Sequence, residues 1–142
     1  MPGLHDRHID PEDGYLGAAT DDALARRALD LSLTDEAPVT VRPNIVEVVS
    51  GFHPEMAFDF VTSHLDAFNA ILEPTARDRY PVGLASNSFD PAMIDKIKAY
   101  AEAHIPPTAR GDAVKAQSTI AYYAKIRSRY LPGINQWLSA RH

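Results

Sequence analysis

Residues 53–74 read HPEMAFDFVTSHLDAFNAILEP, and the period within them decides the fold. Pro54 suits the first turn of a helix, where a missing N–H costs nothing, and Pro74 bounds the far end. Between them Phe58, Val61, Leu65, Phe68 and Leu72 recur at steps of 3, 4, 3 and 4. That is one face of an α-helix, with Glu55, Asp59, Thr62, Asp66 and Asn69 on the others. Burying five such side chains contributes on the order of 1.5–3 kcal/mol each, before the entropy of ordering is subtracted. The spacing predicts one helix over 54–73, whose aromatic residues belong to a core and need no cofactor.

The rest of the chain extends the pattern in both directions. TDDALARRALDLSLTDE (20–36) offers Thr20, Asp21 or Asp22 as N-cap. Leu24, Ala28 and Leu31, with Ala25 and Leu29, then repeat along one face. Pro38 ends that helix, and the β-branched run at 39–41 reads as loop because no partner strand exists. RPNIVEVVSGF (42–52) fits a short helix with Pro43 at its start and Gly51 just past its end, burying Ile45, Val46, Val48 and Val49. A buried strand is the alternative there, and helix is preferred because the surroundings are helical. PVGLASNS (81–88) reads as a helical turn. FDPAMIDKIKAYAEAHIPP (89–107) supplies Asp90 as cap, an Ile94, Ile97, Ala101 stripe and a double-proline stop.

The last helix starts at Asp112 and places Ala113, Ala116, Ile120, Tyr123 and Ala124 on one side. Pro132 is expected to break it. Ile134, Trp137 and Leu138 then form the apolar face of a short final helix that docks as an end cap. A docked indole would make Trp137→Ala cost about 3–5 kcal/mol. The fold class expected is all-α, with antiparallel helix pairs in a HEAT- or armadillo-like superhelical array. Residues 15–142 read as a single helical domain behind a polar tail or junction at 1–14, and no repeat of 34 or 40 residues is evident.

Composition limits function. A net charge of −5 over 142 residues, with no basic stripe, argues against a nucleic-acid partner. There is no cysteine, which removes disulfides, thiolate metal sites and a Cys nucleophile. No run approaches the roughly 18 apolar residues of a membrane span, and no signal-peptide core follows Met1. The expected compartment is cytoplasmic, with a periplasmic one left open.

Catalytic motifs are missing as well. His5 and His8 share an HxxH spacing, but Pro and Gly around them make a metal-binding helix a poor fit, and a polar tail is the better reading. HExxH, the GxSxG elbow and a phosphate-binding glycine loop are all absent. Lys125, Arg127 and Arg129 gather beside Tyr122, Tyr123 and Tyr130. The simple reading is a cationic helix end whose arginine stems cover tyrosine rings. The functional reading is a surface that receives an anionic group such as a peptide carboxylate.

Four segments in order carry a family resemblance: YLGAATDDALARRALDLSLTDE (15–36), HPEMAFDFVTSHLDAF (53–68), LASNSFDPAMIDKIKAYAEAHIP (84–106) and AVKAQSTIAYYAKIRSRYLPGINQWL (113–138). The chain from 15 to 139 resembles the C-terminal end of M1-family zinc aminopeptidases, in the puromycin-sensitive and endoplasmic-reticulum branch and its bacterial relatives. Residues 1–14 do not share the resemblance. It implies a non-catalytic domain that covers the catalytic domain and walls the peptide-substrate chamber. The implied partners are that catalytic domain and the peptide substrate. Zinc would belong to the full-length enzyme, since its HExxH and GxMxN motifs are not in this sequence, and no cofactor is expected here. Tyr123 and Arg127 are the candidate chamber-facing residues. The alternative is a free-standing helical-repeat module that binds a protein or peptide.

Overall fold

Helix formation begins where a carboxylate can hold the first free N–H groups. The structure, a computed structural model, describes residues 21–140. The tail at 1–14 and the His5/His8 pair therefore lie outside the described residues. Those described are helical, with turns and no strand. The chain divides into two compact units, Met1–Ile71 and Leu72–His142.

In the first unit, the Asp21 carboxylate accepts from the N–H groups of Ala23 and Leu24 at 2.8 and 3.2 Å, opening α1 (Asp22–Leu31). Ala25 and Leu29 are the buried side of α1, while Leu24 and Leu31 are each 37% exposed. Helix α2 (Arg42–Ser50) forms as expected, and 39–41 is turn. Only Val46, Val49 and Ser50 are buried in α2. Ile45 and Val48 lie off that side, because four apolar residues in five positions span more of a helix than one neighbour covers. Gly51 caps α2 in the right-handed region, with φ −61°, so its conformational freedom is not used.

The single helix expected over 54–73 is two: α3 (Pro54–Ser63) and α4 (Leu65–Asn69). The break at His64 has a local cause. In a continuous helix the Phe60 carbonyl would accept from the His64 N–H. Here the His64 ring Nδ1 lies 2.8 Å from that carbonyl, and the His64 N–H turns to Val61 O at 3.0 Å. A carbonyl can only accept, so Nδ1 carries the proton. Thr62 Oγ1 also donates back to Phe58 O, another side chain competing with the ladder. Of the predicted stripe, Phe58, Val61 and Phe68 are buried and Leu65 and Leu72 only half-buried.

The second unit holds α5 (Pro74–Arg77), α6 (Arg79–Ala85), α7 (Ala92–His104), a 3-10 turn (Pro107–Ala109) and α8 (Gly111–Ala140). Asp90 accepts from the Ala92 N–H at 2.9 Å, and the buried Ser88 hydroxyl accepts from the Asp90 N–H at 3.0 Å. SNSFDP is thus a turn that feeds a helix cap. Helix α7 buries Met93, Ile97, Tyr100 and Ala101. Ala113, Ala116 and Ile120 of α8 are buried too, and α8 packs on both α7 and α6.

Burial, and then the charge of Asp78, push the Tyr100 phenol up to about 12. A raised phenol pKa means that the folded chain resists ionisation. This contribution is fully present below the unfolded value near 10 and is lost as pH climbs from about 10 to about 12. Urea midpoints are expected to stay level through pH 9 and fall above 10, and Tyr100→Phe should flatten that fall.

Two expectations at the end of the chain are corrected. Pro132 does not end the helix: α8 runs through it to Ala140. Trp137 is not buried, being 58% exposed, alongside Ile134 at 53% and Leu138 at 48%. The loss expected for a buried indole therefore does not apply. Pro132 removes one N–H from the ladder, and a lone lost bond at a solvated position kinks a helix more readily than it stops one.

A repeated device joins the helices. At 37–42 the chain reads APVTVR, at 72–77 LEPTAR and at 105–110 IPPTAR. In each, the arginine Nε donates to the carbonyl five residues back: Arg42 to Ala37 at 2.9 Å, Arg77 to Leu72 at 3.3 Å and Arg110 to Ile105 at 2.8 Å. In each, the residue before the arginine also donates its N–H three residues back: Val41 to Pro38, Ala76 to Glu73 and Ala109 to Pro106, at 2.9, 2.8 and 2.9 Å. The three clasps stand 35 and 33 residues apart, counted from Arg42 to Arg77 to Arg110. A helical segment precedes and follows each of them.

Candidate functional site

An open cleft of about 410 Å³ lies in the second unit, between α6 and the first half of α8. Helix α6 contributes Arg79, Val82 and Gly83, and the turn after it adds Ser86 and Asn87. From α8 come Asp112, Lys115, Ala116, Thr119 and Tyr123, steps of three, one, three and four that hold one helical face to the cleft. The lining carries two cations, one carboxylate and several hydroxyl or amide groups. An aromatic edge completes it: the Tyr123 ring lies 5.6 Å from Phe89 and 5.9 Å from Tyr122. These groups can hold an anionic or polar ligand with an apolar part against the rings. They do not include a histidine, and the Ser86 hydroxyl donates to the Gly83 carbonyl at 2.7 Å.

The two residues singled out from sequence fare differently. Tyr123 is on the cleft and 40% exposed. Arg127 lies one turn further along α8, exposed and outside the lining. The expected stacking of arginine on tyrosine is present for Arg129, whose guanidinium carbon is 5.7 Å from the Tyr130 ring centre. Arg79 and Lys115, the cations at the cleft, were not legible as a pair. They are 36 residues apart in the chain, and only packing joins them.

In the first unit, His53 Nδ1 approaches Asp22 at 3.4 Å, but its Nε2 is buried without a hydrogen-bond partner. A buried Nε2 cannot reach a substrate, which makes the pair structural. His64 is spent on the Phe60 carbonyl and stacks on the Phe60 ring at 4.6 Å. Among the described residues, no three His, Asp or Glu side chains converge to hold a metal ion. No described helix is long and apolar enough to cross a membrane.

No family model, curated protein or solved structure matches the chain.

Gly83 sits inside α6 and lines the cleft, and a Cβ built there meets nothing within 4 Å. Gly83→Ala is expected to stabilise the chain by about 0.5–1 kcal/mol in urea melts, because alanine restricts the unfolded chain without a clash. The same methyl narrows the cleft, so stability and ligand affinity should move in opposite directions.

Proposed function

We propose that the chain is the non-catalytic C-terminal helical domain of an M1-type zinc aminopeptidase, covering the catalytic domain and walling the peptide chamber. The observation that carries this reading is the threefold clasp. A motif recurring at 35 and 33 residues, with the same two hydrogen bonds each time, has the period expected of a helical repeat. It supports a HEAT- or armadillo-like superhelical array, the architecture that the resemblance implies. The order of the four resembling segments, spread over nearly the whole chain, supports the family.

In this reading Tyr123 and Arg127 face the chamber, and the Arg79–Lys115 cleft receives the carboxylate of a peptide. Zinc-activated water would attack the N-terminal peptide bond in the catalytic domain. That step belongs to residues outside this sequence, which has neither HExxH nor GxMxN. A cysteine-free acidic chain suits a cytoplasmic location. The test is the coding frame upstream of Met1, which should encode an HExxH-containing segment in frame. Chelator-sensitive hydrolysis of an aminoacyl-arylamide by the purified 142-residue chain would overturn the reading.

The cleft itself favours a second reading, a free-standing helical-repeat module that binds peptides. A separate promoter and start at Met1, together with peptide binding lost in Arg79→Ala, would favour it over the first.

A further inference from the structure

The clasps give the two walls of the cleft a common register. Arg79, Val82, Gly83 and Ser86 stand two, five, six and nine residues after the clasp arginine Arg77, and all four line the cleft. Asp112, Lys115, Ala116 and Thr119 stand at the same four distances after Arg110 and line it from α8. The groove is thus walled by the same face of the helical segments that follow two successive clasps. In the first unit the same positions after Arg42 are Asn44, Glu47, Val48 and Gly51, and all four are exposed.

The charges along this face are unspent. Among the described residues no carboxylate lies within ion-pair distance of Arg79 or Lys115, and both cations are exposed. The apolar end of the groove is Tyr123, with Phe89 beside it. From Lys115 to Tyr123 is eight residues of helix, about 12 Å. An extended peptide, rising roughly 3.3 Å per residue, covers that distance in about four residues. Side chains four apart in an extended chain point the same way, so one segment can reach both ends.

We propose that the groove recognises an extended peptide segment in which an acidic side chain and an apolar one stand four residues apart. Arg79 and Lys115 take the carboxylate, and the apolar side chain lies against Tyr123 and Phe89. The Asn87 amide and Thr119 hydroxyl meet the peptide groups between them. Gly83 and Ala116, both at the sixth position, leave room for the main chain, since a Cβ built on Gly83 meets nothing within 4 Å. The proposal rests on the reading that this cleft receives a peptide carboxylate, and it moves that carboxylate from the chain end to a side chain. Lining continues on both sides of Lys115, to Asp112 one way and to Tyr123 the other, so a bound segment runs on past its acid in both directions. A chain end at Lys115 would leave the Asp112 side empty. Asp112 itself and the net charge of −5 disfavour a polyanion, which restricts the ligand to an isolated acid.

Calorimetric titration of the 142-residue chain tests this with a seven-residue peptide, blocked at both ends, that has glutamate second and leucine sixth. A second peptide has the two exchanged, which covers both chain directions. One of the pair should bind with a Kd on the order of 10–100 µM, weakening as salt rises. Replacing its glutamate by glutamine, or moving its leucine by one position, should each weaken binding roughly tenfold. Lys115→Glu, at an exposed position, should abolish this binding and transfer it to the peptide with lysine in place of glutamate, a reversal that mere misfolding would not produce. Suppose instead that neither blocked peptide binds, while an unblocked one of the same length without acidic side chains does. The inference is then overturned, and a chain-end carboxylate keeps the cleft. Affinity indifferent to the position of the leucine overturns it too. No binding by any of these peptides overturns both the inference and the peptide reading of the cleft.

Discussion

Phe68→Ala is expected to cost about 3–5 kcal/mol in urea unfolding, close to the whole stability of many small domains. Phe68 is fully buried and is the largest such side chain among the described residues. It is also the only buried residue of α4, a helix of five residues that cannot persist on propensity. Its ring meets Phe60 edge-on at 6.1 Å, a contact worth about 0.5–1.5 kcal/mol beyond the area that it buries. Removing it both opens a cavity and releases α4. The loss should appear as a lower midpoint with α4 amides exchanging first, and a cost below 1 kcal/mol would mean that α4 is held by something else. Phe68→Leu keeps much of the volume and should recover more than half of the loss.

Arg110→Ala is expected to cost about 2–4 kcal/mol, a large effect for a residue that is not in the core. Its guanidinium donates to Ala101 O at 3.1 Å, Ile105 O at 2.8 Å and Glu102 O at 3.3 Å. The first and last of these carbonyls belong to the final turn of α7, where intrahelical partners run out and the dipole favours a cation. One side chain thus closes the helix and fixes the turn into α8. Lysine keeps the charge but not the planar fork, so Arg110→Lys should restore less than half of the loss. Equal stability for the alanine and lysine variants would show that charge alone is irrelevant there. Arg42→Ala and Arg77→Ala test the same device, with smaller losses because each holds one carbonyl, joined at Arg42 by the exposed Asp35 carboxylate.

Much of the helical layout was legible because local chemistry and global packing agree along most of the chain. Asp21 and Asp90 read as caps and act as caps, and Ala113, Ala116 and Ile120 read as a core face and are buried. The failures have separate causes. At His64, a ring nitrogen takes the carbonyl that the periodic pattern assigns to a backbone N–H. At Pro132, the rule against interior proline was applied to a solvated stretch, where the helix loses one bond and continues. Trp137 looked buried because its size argues for burial, yet more than half of its surface stays exposed on α8. The clasps were visible in principle, since PTAR occurs twice, but a six-residue motif in a degenerate background is easily read as ordinary turn chemistry. The cleft was not visible: nothing in linear spacing links Arg79 to Lys115.

Because α8 outruns its packing, its two ends should report different free energies in amide exchange. Amides up to Ile120 are locked under α6 and α7 and should open only with the unit as a whole. Amides beyond it open by fraying, and Pro132 divides that stretch into segments shorter than the roughly 12–15 residues an isolated helix needs to persist. One continuous helix would therefore behave as two thermodynamic bodies, with its protected half ending at the last buried isoleucine.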